Sequence, residues 1–254
     1  MARVKTQAAR AKPGGALDTV KTVIYAGLIA VGIRTVAFEP FNIPSGSMMP
    51  TLLVGDYLFV SKFSYGYSRF SLPLALNLFQ GRIFGTLPTR GDVAVFRNPR
   101  ATSEDYIKRI VGLPGDRLQV RQGKLFINGI QCPTQLAGDY TDDDVRPPMI
   151  VRLDRETLPN GVVHDILKRT DDGYANNTPE FHVPEGHVFA MGDNRDNSAD
   201  SRFMDGSGIG FVPLENLVGR AEVLFFSVDA QRPWWEVWEW PFEIRWSRLL
   251  KIVK

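Results

Sequence analysis

The sequence predicts a mainly β protein: a β domain with a smaller inserted β/loop subdomain, preceded by one N-terminal transmembrane helix. Three observations support this prediction. An apolar stretch follows a basic leader, short strand-like runs each follow a Gly-Asp pair, and no long amphipathic helix pattern appears after residue 40. With 44% hydrophobic and 23% charged residues, the composition is that of a globular chain, not of a disordered or multi-span membrane protein.

Charge and cysteine content exclude several classes of function. The chain has 30 Lys and Arg against 28 Asp and Glu, a net charge of +2, so no basic field indicates a nucleic-acid partner. Cys132 is the single cysteine, which excludes an intramolecular disulfide and a Cys-rich zinc site. We expect no metal and no cofactor.

The first element is an apolar segment, residues 19–38, behind a basic leader, residues 1–18. Counted over residues 22–38, the apolar run makes a helix of roughly 25 Å. That is short for a bilayer core of about 30 Å. The segment can still span the bilayer if Lys21 and Arg34 extend toward opposite head-group layers.

Three interpretations compete for this segment. A cleaved signal peptide has the same pattern, but no clear small-x-small cleavage site precedes Glu39. A buried helix of a soluble protein would not need the basic leader. An uncleaved signal anchor explains both features, and the sequence favours it. Glu39-Pro40 then ends the helix, the leader stays in the cytoplasm, and everything after Phe38 lies on the other side.

The main β domain is predicted over residues 39–130 and 186–230. Gly55-Asp56, Gly91-Asp92 and Gly115-Asp116 each precede a run of β-branched and aromatic residues. Gly-Asp favours turn geometry and such runs favour strands, so each pair is expected to open a strand.

Other parts of the chain are less regular. Residues 117–120 and 124–127 flank an Arg-Gln-Gly turn and predict a hairpin. Residues 131–185 are rich in Asp, Pro, Gly, Asn and Thr, which is typical of an inserted, loop-rich subdomain. Residues 66–90 are irregular but apolar, so they are either packed away or placed on a membrane surface.

The C-terminal segment, residues 231–254, holds all five tryptophans. Tryptophan favours the membrane interface because its ring is apolar and its N–H needs a partner. Two interpretations stay open: a membrane-interfacial tail, which the N-terminal anchor favours, or a Trp-rich core strand.

Three stretches carry groups that can do chemistry. Residues 41–52 place Ser45 and Ser47 around a glycine in a proline-bounded loop, which suits a rigid turn that presents a hydroxyl. Residues 105–111 read as a strand in which Lys108 can be desolvated, and desolvation lowers a lysine pKa. Residues 191–202 are dense in hydrogen-bonding side chains. Each also has a plain structural explanation: a Ser-Gly turn, a surface lysine and a polar loop.

Other hydrolase motifs are not found in this sequence. It has no Gly-x-Ser-x-Gly elbow, no Ser-x-x-Lys and no His-Glu-x-x-His. Cys132 has no clear base nearby in the sequence and is expected to be structural.

Together the three stretches resemble one family, the bacterial type I signal peptidases. The resemblance runs in order through IPSGSMMPTL, GDYLFVSKFSYG, RGDVAVF, DYIKRIVGLPGD and GDNRDNSADSR, and covers about half of the chain. It implies a coiled antiparallel β-sheet and a serine endopeptidase with a Ser/Lys dyad. It also implies that the enzyme removes signal peptides from exported preproteins after an Ala-x-Ala sequence, without a metal or cofactor.

The resemblance also assigns roles, residue by residue. Ser47 matches the nucleophile, Lys108 the general base, Ser45 an oxyanion donor beside the Ser47 N–H, and Ser198 a serine that hydrogen-bonds the lysine. The remaining polar matches are an ion pair near the site, Asp200 and Arg202, and two supporting positions, Asp193 and Arg195. The positions that match the lining of the shallow pockets for the substrate are Ile43, Pro44, Met48, Leu52, Leu58, Tyr106 and Ile107.

The resemblance further implies a place and partners: the bacterial inner membrane with the catalytic domain on the outer side, signal-peptide-bearing preproteins, membrane lipid and a functional link to the export translocon. The sequence departs from the family pattern in three places: it has no cysteine pair near Cys132, a longer link over residues 202–210, and one apparent N-terminal span. Two rival functions remain, a self-cleaving Ser/Lys regulator and a non-catalytic membrane-tethered β domain.

Overall fold

The computed structural model describes residues 16–72, 79–142, 145, 147–229 and 240–254. Within these residues, sixteen strands follow the first helix. Helix α1 covers Ala16–Val36 and a short helix α2 covers Trp240–Glu243. The strands are β1 Phe38–Asn42, β2 Asp56–Ser61, β3 Tyr67–Ser68, β4 Arg82–Ile83, β5 Val93–Asn98, β6 Ala101–Gly112, β7 Arg117–Arg121, β8 Lys124–Ile127, β9 Ile130–Gln131, β10 Thr134–Asp142, β11 Met149–Thr157, β12 Val163–Lys168, β13 Phe181–His182, β14 His187–Met191, β15 Val212–Pro213 and β16 Leu217–Ser227.

Helix α1 is the one helix in the described ranges that is long and apolar enough to cross a bilayer, over Asp18–Val36. Its apolar side chains are exposed, as expected for a helix that faces lipid. The predicted segment extended to Phe38, but the helix ends at Val36 because Phe38 pairs with Ser61 in the sheet. Glu39 and Pro40, expected to end the helix, lie in β1 instead. Residues 1–15 of the predicted leader lie outside the described residues.

Polar contacts tie the end of α1 to the sheet. The side chain of Lys62 is only 3% exposed, and its ammonium lies 2.9 Å from Glu39. Glu39 also contacts Arg34 at 2.9 Å, and the Tyr67 hydroxyl donates to the carbonyl of Val36 at 2.7 Å. The helix therefore enters the β domain through a fixed connection.

The strands form four antiparallel sheets, which confirms the predicted mainly β fold. The largest has seven strands in the order β1-β2-β16-β5-β6-β14-β15. A four-stranded sheet contains β13-β7-β8-β9, and a three-stranded sheet contains β10-β11-β12. Strands β3 and β4 pair by themselves.

The three Gly-Asp pairs build the same turn, and each precedes a strand as predicted. Gly55, Gly91 and Gly115 have φ of 86°, 100° and 83°, in the region that favours glycine. In each turn the aspartate carboxylate accepts the backbone N–H of the residue three positions earlier, at 2.7–2.9 Å. The predicted hairpin is also present, as β7 and β8.

The insertion is more regular than its composition indicates. The region 131–185 was expected to be loop-rich, yet β10 and β11 are nine residues each and pair along their length with one bulge. The strand pattern is weak because much of β10 faces solvent, so polar residues occupy strand positions. Cys132 is buried in the core beneath the second sheet, among Leu118, Val120 and Leu125.

The sequence left two interpretations open, burial or membrane contact, both for residues 66–90 and for the C-terminal segment. Within residues 66–90, Phe70 packs into the main core while Phe84 is 84% exposed, and residues 73–78 lie outside the described ranges. In the C-terminal segment, residues 250–253 hydrogen-bond to β16, and Trp246 is exposed. Residues 231–239, which hold three of the five tryptophans, lie outside the described residues.

Candidate active site

Ser47 lies in a short 3₁₀ turn, Gly46–Met48, that follows β1. The loop is anchored on both sides of the serine. Ile43 donates its N–H to the carbonyl of Asp56 at 2.8 Å, and the side chain of Met48 is fully buried in the core cluster under the main sheet. The anchored flanks hold the Ser47 hydroxyl at one place against the sheet.

Lys108 lies in β6, which pairs with β5 through Ala94 at this position. Its Nζ donates to Ser47 Oγ at 2.7 Å and to the carbonyl of Ile107 at 2.9 Å. Ser47 and Lys108 are 61 positions apart in the sequence, and the fold brings their reactive atoms into hydrogen-bond contact.

Burial changes the chemistry of this lysine. The residue is only 3% exposed, and burial lowers the Lys108 pKa to about 8, although Asp200 and Asp193 act in the opposite direction. A lysine with that pKa is neutral for part of the time near neutral pH, so its nitrogen can take a proton from a hydroxyl.

Ser45 lies beside the pair. Its Oγ is 3.4 Å from Ser47 Oγ, and the residue is exposed. An exposed hydroxyl next to the nucleophile can turn toward a substrate carbonyl without a loss of buried hydrogen bonds. This arrangement supports the predicted oxyanion donor, whose role stays a prediction.

The predicted polar loop forms two buried ion pairs next to the dyad. Asp193 accepts two hydrogen bonds from Arg109, at 2.8 and 2.7 Å, and Asp200 pairs with Arg202 at 2.9 Å. Burial alone would raise the pKa of Asp193 and of Asp200, but the two arginines outweigh it and hold both pKa values below the usual range. Both carboxylates therefore stay charged near Lys108.

The side chain of Arg195, the other predicted supporting residue, contacts the inserted sheet and not Ser47 or Lys108 within the described residues. It contacts Glu156 of β11 through both ends of its guanidinium, and His164 of β12 lies 3.4 Å from the same carboxylate. All three side chains are buried. This cluster connects the polar loop to the inserted sheet.

Ser198 differs from the prediction. The resemblance implies that it hydrogen-bonds the lysine, yet its buried Oγ has no hydrogen-bond partner within the part of the chain that the structure describes. Lys108 donates to Ser47 and Ile107 instead. The hydroxyl does lie close to the nucleophile loop, because both Ser198 and the Ser47 carbonyl pack against Gly192.

Of the seven positions predicted to line the substrate pockets, three are at least partly exposed and four are buried. Pro44 is exposed, and Tyr106 and Ile107 are half-buried on β6. The other four are buried in the core cluster below the loop: Ile43, Met48, Leu52 and Leu58. Those four can contribute only the floor of a pocket.

Sequence reasoning missed several residues of the site. Arg109 lies within the predicted strand 105–111, but the sequence gives no sign that it pairs with Asp193, and Thr51, which donates to the same carboxylate at 2.5 Å, carries no signal either. Asn194 lies in the polar stretch 191–202 and has no predicted role, although it hydrogen-bonds the nucleophile loop twice. No spacing rule links such pairs, because their contacts depend on how β6 and the polar loop meet.

The remaining candidates for chemistry lie away from the dyad. His182 is exposed and lies 3.2 Å from Glu180. Burial raises the pKa of the Cys132 thiol to about 12, so this cysteine is unreactive and structural, as expected. No group of three or more His, Cys, Asp or Glu side chains is arranged to hold a metal ion among the described residues.

Comparison with known proteins identifies the family of this chain. The family described as "Signal peptidase, peptidase S26" matches residues 16–226. Signal peptidase I of Rickettsia canadensis is 41% identical over 225 residues, which cover 85% of this chain and 81% of that protein. Signal peptidase I of Rickettsia typhi is 42% identical over 217 residues, which cover 82% and 78%. The crystal structure of a signal peptidase I from Enterococcus faecalis is 31% identical to this chain. The match covers 52% of this chain and 95% of that chain, with a TM-score of 0.30. Because the family matches residues 16–226 and the two Rickettsia proteins match 85% and 82% of its length, this chain belongs to the signal peptidase family, peptidase S26.

Proposed function

We propose that this protein is a membrane-anchored serine endopeptidase that removes N-terminal signal peptides from exported preproteins, with Ser47 as nucleophile and Lys108 as general base. The observation that supports it most directly is the 2.7 Å contact between Lys108 Nζ and Ser47 Oγ at a buried position. A hydrogen bond of this length is within the range over which a base takes the proton of a nucleophile.

The reaction follows from the groups present. Neutral Lys108 accepts the Ser47 proton as Oγ attacks the scissile carbonyl, and the resulting ammonium then protonates the leaving amine. The Ser47 N–H and the Ser45 hydroxyl are the donors for the oxyanion. A donor of this kind contributes about 3–4 kcal/mol to the transition state in other serine peptidases. Lys108 then activates water, which hydrolyses the acyl-enzyme by the reverse route.

The open edge of β6 supports binding of the substrate as an added strand. On one side β6 pairs with β5 at residue 101 and at residues 105–109. On the other side β14 pairs with β6 only at residues 109–112. The edge of residues 101–108 is thus free of a partner strand among the described residues, and it leads to Lys108. An extended peptide can hydrogen-bond to such an edge.

The buried floor of the site supports a preference for small side chains. Met48, Leu52 and Leu58 fill the core directly beneath the nucleophile loop. A close-packed floor leaves shallow pockets. This agrees with cleavage after Ala-x-Ala, because a large side chain at either alanine would have to displace the core.

The location proposed is the bacterial inner membrane, with the leader in the cytoplasm, the catalytic domain on the outer side, and the export translocon as the source of substrates. An aromatic patch at the end of α1 supports contact with lipid. Phe38, Tyr57 and Phe63 are exposed on this patch, and Phe59 and Phe225 stack beside them at 4.3 Å. Aromatic side chains favour the membrane interface, so this face is expected to rest on the outer leaflet.

The test is cleavage of a purified preprotein by the full chain in detergent. Ser47→Ala and Lys108→Ala are each expected to abolish cleavage. Lys124→Ala, which changes an exposed lysine, and His182→Ala are expected to leave it intact. Retained cleavage by Lys108→Ala would show that the proposed base is wrong.

A second arm of the same experiment tests the specificity. A preprotein with leucine in place of both alanines before the cleavage site is expected to stay uncut by the active enzyme. Equal cleavage of the two preproteins would contradict the proposed pocket floor.

A further inference from the structure

Asn194 holds two successive carbonyl groups of the nucleophile loop. Its side-chain Nδ2 donates to the carbonyl of Gly46 at 3.0 Å, and its backbone N–H donates to the carbonyl of Ser47 at 3.1 Å. Asn194 is 1% exposed, so water does not compete for these bonds. The residues lie almost 150 positions apart, and the contact therefore depends on the tertiary structure.

The carbonyl of Gly46 and the N–H of Ser47 belong to one peptide unit. That unit is planar and trans, so its C=O and N–H point in opposite directions. A donor that fixes the direction of the Gly46 carbonyl therefore also fixes the direction of the Ser47 N–H. This N–H forms no hydrogen bond to a protein group within the described part of the chain, so it is free to meet an oxyanion.

The loop needs an external anchor for this peptide. Gly46 has no side chain that could restrict rotation, and among the described residues its carbonyl otherwise accepts only the longer 3.2 Å bond from Met49, within the same turn. Asn194 is itself fixed, because it forms a β-bridge with Leu167 of β12. The neighbouring Arg195 also donates its N–H to the Leu167 carbonyl at 3.0 Å. Asn194 is thus held by backbone contacts that do not depend on the nucleophile loop.

We propose that Asn194 is a positioning residue that directs the Ser47 N–H toward the oxyanion, through its side-chain bond to the Gly46 carbonyl. The proposal rests on the proposed Ser47–Lys108 chemistry. Because the bond acts on the oxyanion donor, its loss weakens binding of the transition state more than binding of the substrate.

The test uses Asn194→Ala and Asn194→Leu in the full chain, with a peptide substrate and a peptide aldehyde of the same sequence. Ser47 Oγ adds to the aldehyde carbon, its proton passes to Lys108, and the aldehyde oxygen becomes an oxyanion. Leucine branches at the same carbon as asparagine, cannot donate to Gly46 and adds no charge near Lys108, so it serves if the alanine variant does not fold.

The expected result is a fall in kcat of about tenfold to a hundredfold, a KM within threefold of the wild type, and a loss of aldehyde affinity that matches the loss of kcat. The pH at which activity reaches half its maximum is expected to stay unchanged, because Lys108 keeps its surroundings. Asn216→Ala is the matched control: Asn216 is also buried and donates its Nδ2 to a backbone carbonyl, that of Arg97, at 3.0 Å. It is expected to keep the wild-type kcat.

Two outcomes overturn the proposal: Asn194 variants with kcat within twofold of wild type, or a lower kcat with unchanged aldehyde affinity. Cleavage by the wild type that is lost in Ser47→Ala tests the dyad separately. A failure of the Asn194 role therefore differs from a failure of the proposed function.

Discussion

Lys108 Nζ lies 2.7 Å from Ser47 Oγ, and no carboxylate within the described residues pairs with this buried ammonium. Two other lysines are equally buried, and the contrast is informative. Lys62 pairs with Glu39, and Lys168 contacts Asp171. Near Lys108 the available carboxylates, Asp193 and Asp200, are bound to Arg109 and Arg202. The two arginines thus leave the lysine without a counter-ion, and burial then favours its neutral form.

The first prediction concerns pH. Because burial lowers the Lys108 pKa to about 8, the fraction of neutral base rises as the pH increases through that value. We expect kcat/KM for a peptide substrate to increase about tenfold for each pH unit below 8 and to level off above it. Lys108→Arg, which stays charged at all these values, is expected to be inactive throughout. A wild-type profile that is flat from pH 6 to pH 9 would contradict the role of a neutral lysine.

The same burial predicts a cost in stability. The folded pKa of about 8 is lower than the usual 10.5, so the unfolded chain binds more protons between these values and the free energy of unfolding increases with pH there. Below pH 8 the penalty is fully present, at most about 3 kcal/mol. We expect Lys108→Met to unfold at higher urea concentration than the wild type at pH 7.

The control for this prediction is the same comparison at pH 10.5, where the unfolded lysine is itself half neutral. The advantage of Lys108→Met is expected to be almost gone there. A methionine variant that is less stable than the wild type at pH 7 would show that the Nζ hydrogen bonds outweigh the desolvation of the charge.

The sequence predicted the strand containing Lys108 and the serine loop, but it could not place the two side by side. Strand signals are local: residues 105–111 indicate a strand by themselves, and each of the three Gly-Asp pairs precedes a strand as predicted. The pairing of Ser47 with Lys108 spans 61 residues, and only the resemblance to a known family linked them. An inserted β/loop subdomain was predicted, but the individual strands β10, β11 and β12 were not, because exposed polar strands lack an alternating apolar pattern.

The third prediction concerns Ser198, whose buried hydroxyl has no partner among the described residues. When Lys108 takes the Ser47 proton it has three N–H donors, and Ser47 and Ile107 supply two acceptors. If Ser198 is the third, Ser198→Ala lowers kcat at least tenfold and moves the half-maximal pH lower, since the ammonium loses support. The melting temperature is expected to stay constant, because no hydrogen bond of the resting protein is removed.

The kcat and the pH profile of Ser198→Ala together test whether Ser198 accepts a hydrogen bond from the Lys108 ammonium. A Ser198→Ala enzyme with wild-type kcat and an unchanged profile would show that the hydroxyl is only a packing group. A lower melting temperature of Ser198→Ala would instead show that the hydroxyl has a hydrogen-bond partner in the folded resting enzyme.

The last prediction concerns Gly192, at the point where the polar loop touches the nucleophile loop. A Cβ at this position would lie 2.5 Å from the Ser47 carbonyl oxygen and 2.3 Å from Ser198 Oγ, closer than atoms can approach. Gly192→Ala must therefore push the two loops apart, at a cost of about 1–3 kcal/mol in stability. Since a displacement of about 1 Å at a reacting group costs roughly a hundredfold in rate, we expect kcat to fall by that order. Gly85→Ala is the control, because its nearest neighbours are the flexible side-chain carbons of Arg82, 3.3 Å away. Wild-type kcat in Gly192→Ala would mean that the contact between the loops does not set the position of Ser47.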